Sequence, residues 1–289
     1  MTRPAGHPDS EGLRIRPMRP DEIGLAIDWA AAEGWNPGLA DAACFGTVDP
    51  EGFIIAELDG APVATVSCVN YDARFAFLGF YIVRPDLRGH GYGLRIWNAA
   101  MAHAGARVVG LDGVVAQQDN YRKSGFHYAY ANIRYGGTVT TRAVSQAGVV
   151  PLTTMPFSAI EASDATVFPA PRSSFLRSWI NASGHVCRAL MRNGELAGWG
   201  VIRPCRRGYK IGPLVADNRA AAEAVLSALL AEIGKVEVFL DVAAINREAV
   251  AFAEGLGLAP VFETARMYTG AIRELRTERV FGVTSFELG

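Results

Sequence analysis

A strand–loop–helix pattern at residues 77–98 constrains the fold more than any other stretch of this sequence. The apolar run at residues 77–83 predicts a buried strand, and helical periodicity resumes near Gly93. The connecting loop carries glycines at alternate positions, namely Gly89, Gly91 and Gly93. Glycines let the backbone approach a ligand closely, and a helix N-terminus presents unpaired N–H groups at the positive end of its dipole. The pattern therefore predicts a phosphate-binding turn.

The rest of the first half alternates strand and helix patterns around this unit. Predicted strands are residues 13–18, 53–58, 63–69, 75–83, 108–115 and 128–135. Predicted helices are residues 20–33 and 94–104, with a further short helix in the segment before Tyr121. This order predicts an α/β fold with a mixed sheet. Ligands of such sheets sit at the carboxyl ends of central strands, where the glycine loop lies.

The second half echoes the first. Gly105 precedes a Leu-Asp pair ending at Asp112, and Gly234 precedes another at Asp241 with the same spacing. A later glycine-to-arginine spacing, ending at Arg134, is likewise repeated at Arg266. Two matches in the same order favour an internal duplication. The helix at residues 219–233 matches the one after the loop but has no glycine-rich turn before it, so we expect a single phosphate cradle.

The composition and net charge exclude several classes of protein. The chain has 289 residues, of which 50% are hydrophobic, and its formal net charge is −1. Such a neutral chain is not expected to bind nucleic acid or an anionic membrane surface, and no apolar run is long enough to span a bilayer. The cysteines, Cys44, Cys68, Cys187 and Cys205, are far apart and predict neither a metal site nor a disulfide scaffold. We expect a cytoplasmic protein.

Domain boundaries follow from composition and periodicity. Residues 1–12 are polar, contain Pro4, Gly6 and Pro8, and are expected to lack fixed structure. Residues 136–148 are small and polar, and we place an interdomain linker at 138–148. The two domains are then residues 13–137, which carry the loop, and 149–289.

Three kinds of phosphate loop can be compared with residues 88–93. A Walker A loop requires a Lys-Ser or Lys-Thr pair, which is absent, and a Rossmann fingerprint requires a third glycine where Leu94 or Ile96 stands. The third pattern fits, because Arg88-x-x-Gly91-x-Gly93 resembles the acyl-CoA loop of the GNAT superfamily of N-acetyltransferases. The later element from Tyr121 to Phe126, Y-x-x-x-G-F, also resembles that family. The resemblance covers about residues 13–137.

The resemblance implies two tandem GNAT-like domains, of which the second is degenerate, and an N-acetyltransferase that uses acetyl-CoA without a metal. It implies that backbone N–H groups of the loop bind the CoA pyrophosphate; the loop residues are Arg88, Gly89, His90, Gly91, Tyr92, Gly93 and Leu94. His90 and Tyr92 are expected to be exposed. The strand before the loop is expected to pair with pantetheine through Tyr81, Ile82 and Val83. Tyr121 matches the family's tyrosine near the CoA sulfur, where it would protonate the leaving thiolate.

Two departures from the family pattern leave roles open. An asparagine often found seven residues before the tyrosine is replaced by Val114, and the strand before the loop carries no carboxylate. A base, if one is needed, must come from elsewhere, with Glu33, Asp72 and Asp112 as the candidates, or act through water. The breaker-rich loop at residues 33–38 is expected to border the acceptor. There Trp35 would stack on the substrate, and Glu33 or Asn36 would bind its amine.

The favoured function is direct acetyl transfer to the amine of a small molecule in a ternary complex, by a monomer or a homodimer. One alternative is a CoA-binding regulatory protein without turnover, against which Tyr121 argues. Another is an acyltransferase for a longer acyl-CoA, which differs only in the acyl pocket. Neither the amine nor the acyl chain can be read from the sequence.

Overall fold

The computed structural model describes residues 12–139 and 147–289. The first half contains strands β1 to β6, which are Leu13–Pro17, Phe53–Leu58, Ala61–Asn70, Phe75–Val83, Val108–Val114 and His127–Val139. Its helices α1 to α4 are Ile23–Ala32, Asp41–Phe45, Tyr92–Ala104 and Gln118–Lys123. The predicted order of elements is confirmed, and α3 begins at Tyr92, next to the predicted start near Gly93.

The second half repeats this order. Its strands β7 to β13 are Val149–Pro151, Val186–Arg192, Glu195–Pro204, Tyr209–Ala216, Val236–Ala243, Ala259–Tyr268 and Val280–Gly282. Its helices α5 to α8 are Phe157–Asp164, Ser173–Asn181, Arg219–Ile233 and Arg247–Gly255. Each half thus runs strand, two helices, three strands, helix, strand, helix and strand. The predicted duplication of an α/β unit with a mixed sheet is confirmed.

The two halves form one continuous sheet by exchanging their sixth strands. The strand order is β1-β2-β3-β4-β5-β12-β6-β11-β10-β9-β8-β7, with β13 paired to β10. Strand β12, the sixth strand of the second half, lies against β5 of the first, and β6, the sixth strand of the first half, lies against β11 of the second. The exchange was not predicted, since the sequence pattern of a strand does not identify its partner.

This exchange changes the predicted start of the linker. Residues 136–139 belong to β6, because they pair with β11 from Phe239 to Val236. The second domain therefore gives these small residues a strand partner. Residues 1–11 and 140–146, which include most of the predicted lead-in and linker, lie outside the described residues.

The duplicated motifs meet crosswise as two buried ion pairs. Arg134 on β6 donates from Nε to Asp241 on β11 at 2.6 Å, and Arg266 on β12 donates from Nη2 to Asp112 on β5 at 2.6 Å. More than nine-tenths of the surface of Arg134, Asp241 and Arg266 is buried, and the side chain of Asp112 is fully buried. Burial alone lowers the pKa of Arg266, but Asp112 outweighs burial and holds that pKa well above its usual range. The pairs therefore lock each exchanged strand to its host.

Helices cover both faces of the sheet. One face packs against α3 in the first half and against α7 and α8 in the second. The other face carries α1, α2, α5 and α6 over one core shared by both halves. Within it, the rings of Phe45 and Trp179 stack with centroids 5.8 Å apart. Because this core is shared, the two halves are fixed relative to each other.

The chain ends in a buried C-terminal tail, residues 283–289, that runs between the two halves. It begins beside Gly212, where an added Cβ would lie 2.3 Å from the carbonyl oxygen of Val283. It later passes Gly79, where an added Cβ would lie 2.2 Å from the carbonyl oxygen of Glu287. Gly79 and Gly212 are equivalent positions, since each follows the last residue of its strand that pairs with β5 or β11.

Candidate active site

The central strands of the first half separate at one end. β4 and β5 pair in parallel only as far as Leu78 opposite Leu111. Directly afterwards Phe80 has a φ of 47°, the register of β4 against β3 shifts, and Thr65 Oγ1 donates to the Phe80 carbonyl at 2.9 Å. This bulge turns β4 away from β5. The gap opens into a cavity of about 530 Å³.

The glycine turn lies at the mouth of this cavity. Gly89 and Gly91 have φ values of 85° and 84°, a region that side-chain-bearing residues rarely adopt. Gly91 precedes α3, offers no side chain to cap it, and is followed by no acidic residue in the first turn. Among the described residues, the N–H groups of residues 89–94 donate to no other protein group. The turn is therefore suited to an anion.

The end of β4 forms one wall of the cavity. Tyr81, Ile82 and Val83 line it, and beyond Leu78 the β5-facing edge of β4 has no strand partner. Gly93 lets α3 approach this wall, because an added Cβ would lie 2.6 Å from Tyr81 Oη. Free backbone groups therefore border the gap for a ligand to pair with.

Arg88 connects the turn to the end of α1. Its Nη2 donates to Glu33 Oε1 at 2.5 Å, and its Nε donates to the carbonyl of Val83 at 3.1 Å. Both Arg88 and Glu33 line the cavity, and the Arg88 side chain is half exposed. Glu33 is thus paired with the Arg88 guanidinium.

Tyr121 lies at the inner wall, on α4. Its ring stacks on Trp97 at 5.7 Å and occupies space left by Gly113, where an added Cβ would lie 2.2 Å from Tyr121 Cε2. Its hydroxyl makes no hydrogen bond to the residues that the structure describes. Burial, with a smaller contribution from Tyr81, raises the pKa of Tyr121 to about 12. The phenol is therefore protonated at neutral pH and able to donate.

Only two of the three residues predicted in the loop after α1 line the cavity. Glu33 and Trp35 line the cavity, and the Trp35 carbonyl accepts from Arg134 Nη1 at 2.7 Å and from Lys210 Nζ at 3.1 Å. Asn36 does not line it. Its side chain donates to the Arg207 carbonyl at 2.9 Å and accepts from the Arg207 N–H at 2.8 Å. The amide of Asn36 therefore holds the two halves together.

Two of the three candidate bases are committed elsewhere. Asp72 accepts from the backbone N–H groups of Arg74 and Phe75 in the β3–β4 turn, outside the cavity. Asp112 does line the cavity, but it accepts two hydrogen bonds from Arg266 and one from Asn132 Nδ2 at 2.7 Å. The third, Glu33, is paired with Arg88 as described above.

Comparison with known proteins identifies the family of both halves. An acetyltransferase (GNAT) family model matches residues 23–127, and an acetyltransferase (GNAT) domain model matches residues 160–282. A protein of Pseudoalteromonas sp. (strain SANK 73390) named holothin acyltransferase is 32% identical over 275 residues, covering 95% of this chain and 94% of that protein. The chain belongs to the GNAT superfamily.

Solved structures share the fold of this tandem GNAT protein. A crystal structure from Pyrococcus horikoshii, described as that of an acetyltransferase, has a TM-score of 0.81 at 22% identity and covers 99% of this chain and 100% of that one. A tandem GNAT protein from the clavulanic acid biosynthesis pathway has a TM-score of 0.61 at 16% identity and covers 90% of this chain and 99% of that one. These likenesses show the tandem architecture.

Among the described residues, the gap that corresponds to this cavity in the second GNAT domain is largely filled. Its helix α7 is capped by Asn218, whose side chain accepts from the Ala221 N–H at 3.0 Å. Beyond Ile211, β10 pairs with β13 instead of β11, and the Val283 N–H donates to the Asp241 carbonyl at 2.7 Å. The chain's own C-terminal region therefore fills the place that corresponds to the cavity of the first domain.

The remaining predicted loop residues divide by exposure. His90 is exposed as expected, whereas Tyr92 is buried, 4% exposed, because α3 begins there and directs its side chain into the core. Gly89, Gly91, Gly93 and Leu94 line the cavity, and His90 and Tyr92 do not.

Sequence reasoning allowed the second domain to close the other side of the pocket but did not identify the residues that do so. Phe262 and Thr264 on the exchanged strand β12, and Phe286 and Glu287 in the C-terminal tail, line the cavity. The apolar character of the last ten residues signals burial, but nothing in the sequence assigns them to the first domain's cavity. Within the described ranges, no residue lining the cavity is a cysteine, no helix is long and apolar enough to cross a membrane, and no metal-binding cluster occurs.

Proposed function

We propose that this protein is an acyl-CoA-dependent N-acyltransferase that transfers an acetyl group to the amine of a small molecule. One observation carries the proposal: a turn of unpaired N–H groups opens onto a gap that leads to Tyr121. An anionic pyrophosphate at the turn would direct the pantetheine arm along β4. The thioester would then lie near the phenol.

The proposed reaction is direct transfer while both substrates are bound. Residues 89–94 hold the pyrophosphate, with Arg88 adding positive charge, and the free edge of β4 at residues 81–83 pairs with pantetheine. The amine nitrogen attacks the thioester carbonyl carbon, and the carbon–sulfur bond breaks. Tyr121 gives its proton to the departing sulfur, a role supported by a pKa raised by burial to about 12. The absence of cysteine from the described lining favours this route over an acyl-enzyme.

Experiments must identify the acceptor amine and the length of the acyl group. The relative's name makes holothin a compound to test, together with phenethylamine and aniline as simple amines. Acetyl-, butyryl- and hexanoyl-CoA test the length of the acyl chain. We propose that the protein acts in the cytoplasm, where CoA thioesters are available.

Thiol release and calorimetry test the proposal. Acetyl-CoA should bind to the wild-type protein, and an accepted amine should release CoA thiol and yield the amide by mass spectrometry. Binding of acetyl-CoA without amide formation from any amine would leave a CoA-binding protein without turnover.

Tyr121→Phe tests the acid. We expect kcat to fall by about 10²–10⁴-fold, the contribution of a general acid, with little change in acetyl-CoA affinity. Tyr128→Phe is the matched control, because Tyr128 is 50% exposed and lies outside the cavity. Because the pKa of Tyr121 is about 12, Tyr121 stays protonated below about pH 10. Wild-type kcat should therefore not fall through ionisation of this acid in that range. Full activity of Tyr121→Phe would show that Tyr121 is not the general acid.

A further inference from the structure

Three carboxylates among the described residues line the cavity, and only one of them is uncommitted. Glu33 is paired with Arg88, and Asp112 is held by Arg266 and Asn132. Glu287 is 3% exposed, and its Oε2 is buried without a hydrogen-bond partner. A buried polar atom without a partner is costly, and beside a cavity it remains available to a hydrogen-bond donor.

The tail fixes Glu287 at the bend of β4. Its carbonyl oxygen occupies the space that Gly79 leaves open. On its C-terminal side, Tyr71 Oη donates to the Leu288 carbonyl at 2.8 Å, and Arg172 Nη1 donates to the Gly289 carbonyl at 3.2 Å. The bend is where β4 leaves β5, so the carboxylate is held at the inner part of the gap. The anchored backbone next to Glu287 gives the preorganisation that proton transfer requires.

Glu287 lies within a group of buried charged side chains. Its charge acts on three buried cations, which are Arg134, Arg203 and Lys210. Two further carboxylates pair with these cations, Asp241 with Arg134 and Asp41 with Arg203. Burial and the nearby Arg134 lower the pKa of Lys210, while Glu287 acts in the opposite direction. The group thus contains three basic and three acidic side chains.

Aromatic side chains surround the same part of the cavity. Trp35, Phe262 and Phe286 line it, and the rings of Phe262 and Phe286 are 6.4 Å apart. The Arg134 guanidinium lies over the Phe286 ring at 4.8 Å from its centroid, which fixes that ring. Such a surface suits the apolar body of a small organic amine whose charged end reaches a carboxylate.

We infer that Glu287, supplied by the C-terminal tail, binds the ammonium group of the acceptor and takes its proton. This inference rests on the proposed function. The ammonium gives one proton to Glu287, and the free nitrogen attacks the thioester carbonyl carbon. As the carbon–sulfur bond breaks, Tyr121 gives a proton to sulfur and regains one from the nitrogen that has become an amide. Glu287 then releases its proton to solvent, so that both side chains return to their starting forms.

Glu287→Gln tests this role with two kinds of amine. Phenethylamine is an ammonium ion at neutral pH, whereas aniline is already neutral. The variant should lose at least about 100-fold in kcat/KM with phenethylamine, and less than about tenfold with aniline. Its rate with phenethylamine should rise about tenfold per pH unit below the pKa of that amine, as free amine accumulates. Glu287→Asp should retain part of the activity.

Controls separate proton transfer from support of the fold. Glu263→Gln removes an exposed carboxylate from the same strand as Phe262 and should behave as the wild type. Each variant is compared for melting temperature and acetyl-CoA affinity. A purely structural role of Glu287 would lower activity equally with both amines and at every pH, and that result would overturn the inference.

A binding measurement keeps the inference testable without turnover. Calorimetric titration of phenethylamine into the protein saturated with CoA should show at least tenfold weaker binding to Glu287→Gln than to the wild type. Equal affinity, or no detectable binding to the wild type, would count against Glu287 as the ammonium site. If the wild type acylates no amine although it binds phenethylamine through Glu287, it is the proposed function that fails.

Discussion

Gly79→Ala perturbs the tail without touching the carboxylate of Glu287. An alanine Cβ would lie 2.2 Å from the Glu287 carbonyl oxygen, whereas real Cβ atoms essentially never come closer than 3.0 Å. The tail and β4 must therefore move apart by about 0.8 Å at least. Overpacking of this kind typically costs about 1–3 kcal/mol of folding free energy. A displacement of about 1 Å at a catalytic group can cost about 10² in rate.

We therefore expect Gly79→Ala to lower kcat/KM about 100-fold with phenethylamine or another accepted ammonium substrate. The assay is thiol release, with calorimetry to show that acetyl-CoA affinity changes less than threefold. Gly212→Ala is the matched control, since its Cβ would lie 2.3 Å from the Val283 carbonyl of the same tail, in the second domain. It should destabilise the protein comparably but reduce activity much less. A Gly79→Ala variant with wild-type kcat/KM would refute the reasoning, because the position of Glu287 would then be immaterial.

Two further predictions concern the cradle and the exchanged strands. Gly91→Glu should abolish acetyl-CoA binding in calorimetry, because it strains a residue with a φ of 84° and places a negative charge where the pyrophosphate would lie. Gly60→Glu, at a φ of 80° in an open turn, should leave binding intact, and unchanged affinity of Gly91→Glu would contradict the cradle. Asp241→Asn should lower the free energy of unfolding by about 3–5 kcal/mol in denaturant titration, because Arg134 loses its buried partner. The double change Arg134→Met with Asp241→Leu should lower the free energy of unfolding by clearly less than Asp241→Asn does. Equal losses in the two variants would show that the unpaired charge of Arg134 is not what destabilises Asp241→Asn.

The sequence determined the local features of the site. The glycine turn could be read because alternate glycines before a helix have few other physical uses, and Tyr121 because its spacing to Gly125 and Phe126 lies within one short segment. The duplication was visible in the repeated spacings that end at Asp112 and Asp241. Each of these signals extends over few residues.

Some polar residues near the predicted site do not have the roles that their positions suggested. Asn36 stands in the predicted acceptor loop, but its amide binds the backbone of Arg207 in the other domain. Asp112 stands on a central strand, but it pairs with Arg266. In both cases the partner is far away in sequence, so a polar side chain that was a candidate for binding the amine or for acting as a base instead makes a long-range contact.

Only the tertiary structure decided which carboxylate is free in the cavity. Glu287 reaches β4 because β12 and β6 exchange partners and the tail then runs past Gly212 to Gly79. Strand patterns specify which face is buried but not which strand is the neighbour, since backbone hydrogen bonding is the same for every partner. The sequence, through its resemblance to the family, therefore predicted the turn and Tyr121 of this tandem GNAT protein, while long-range strand pairing determined which residues lie opposite them.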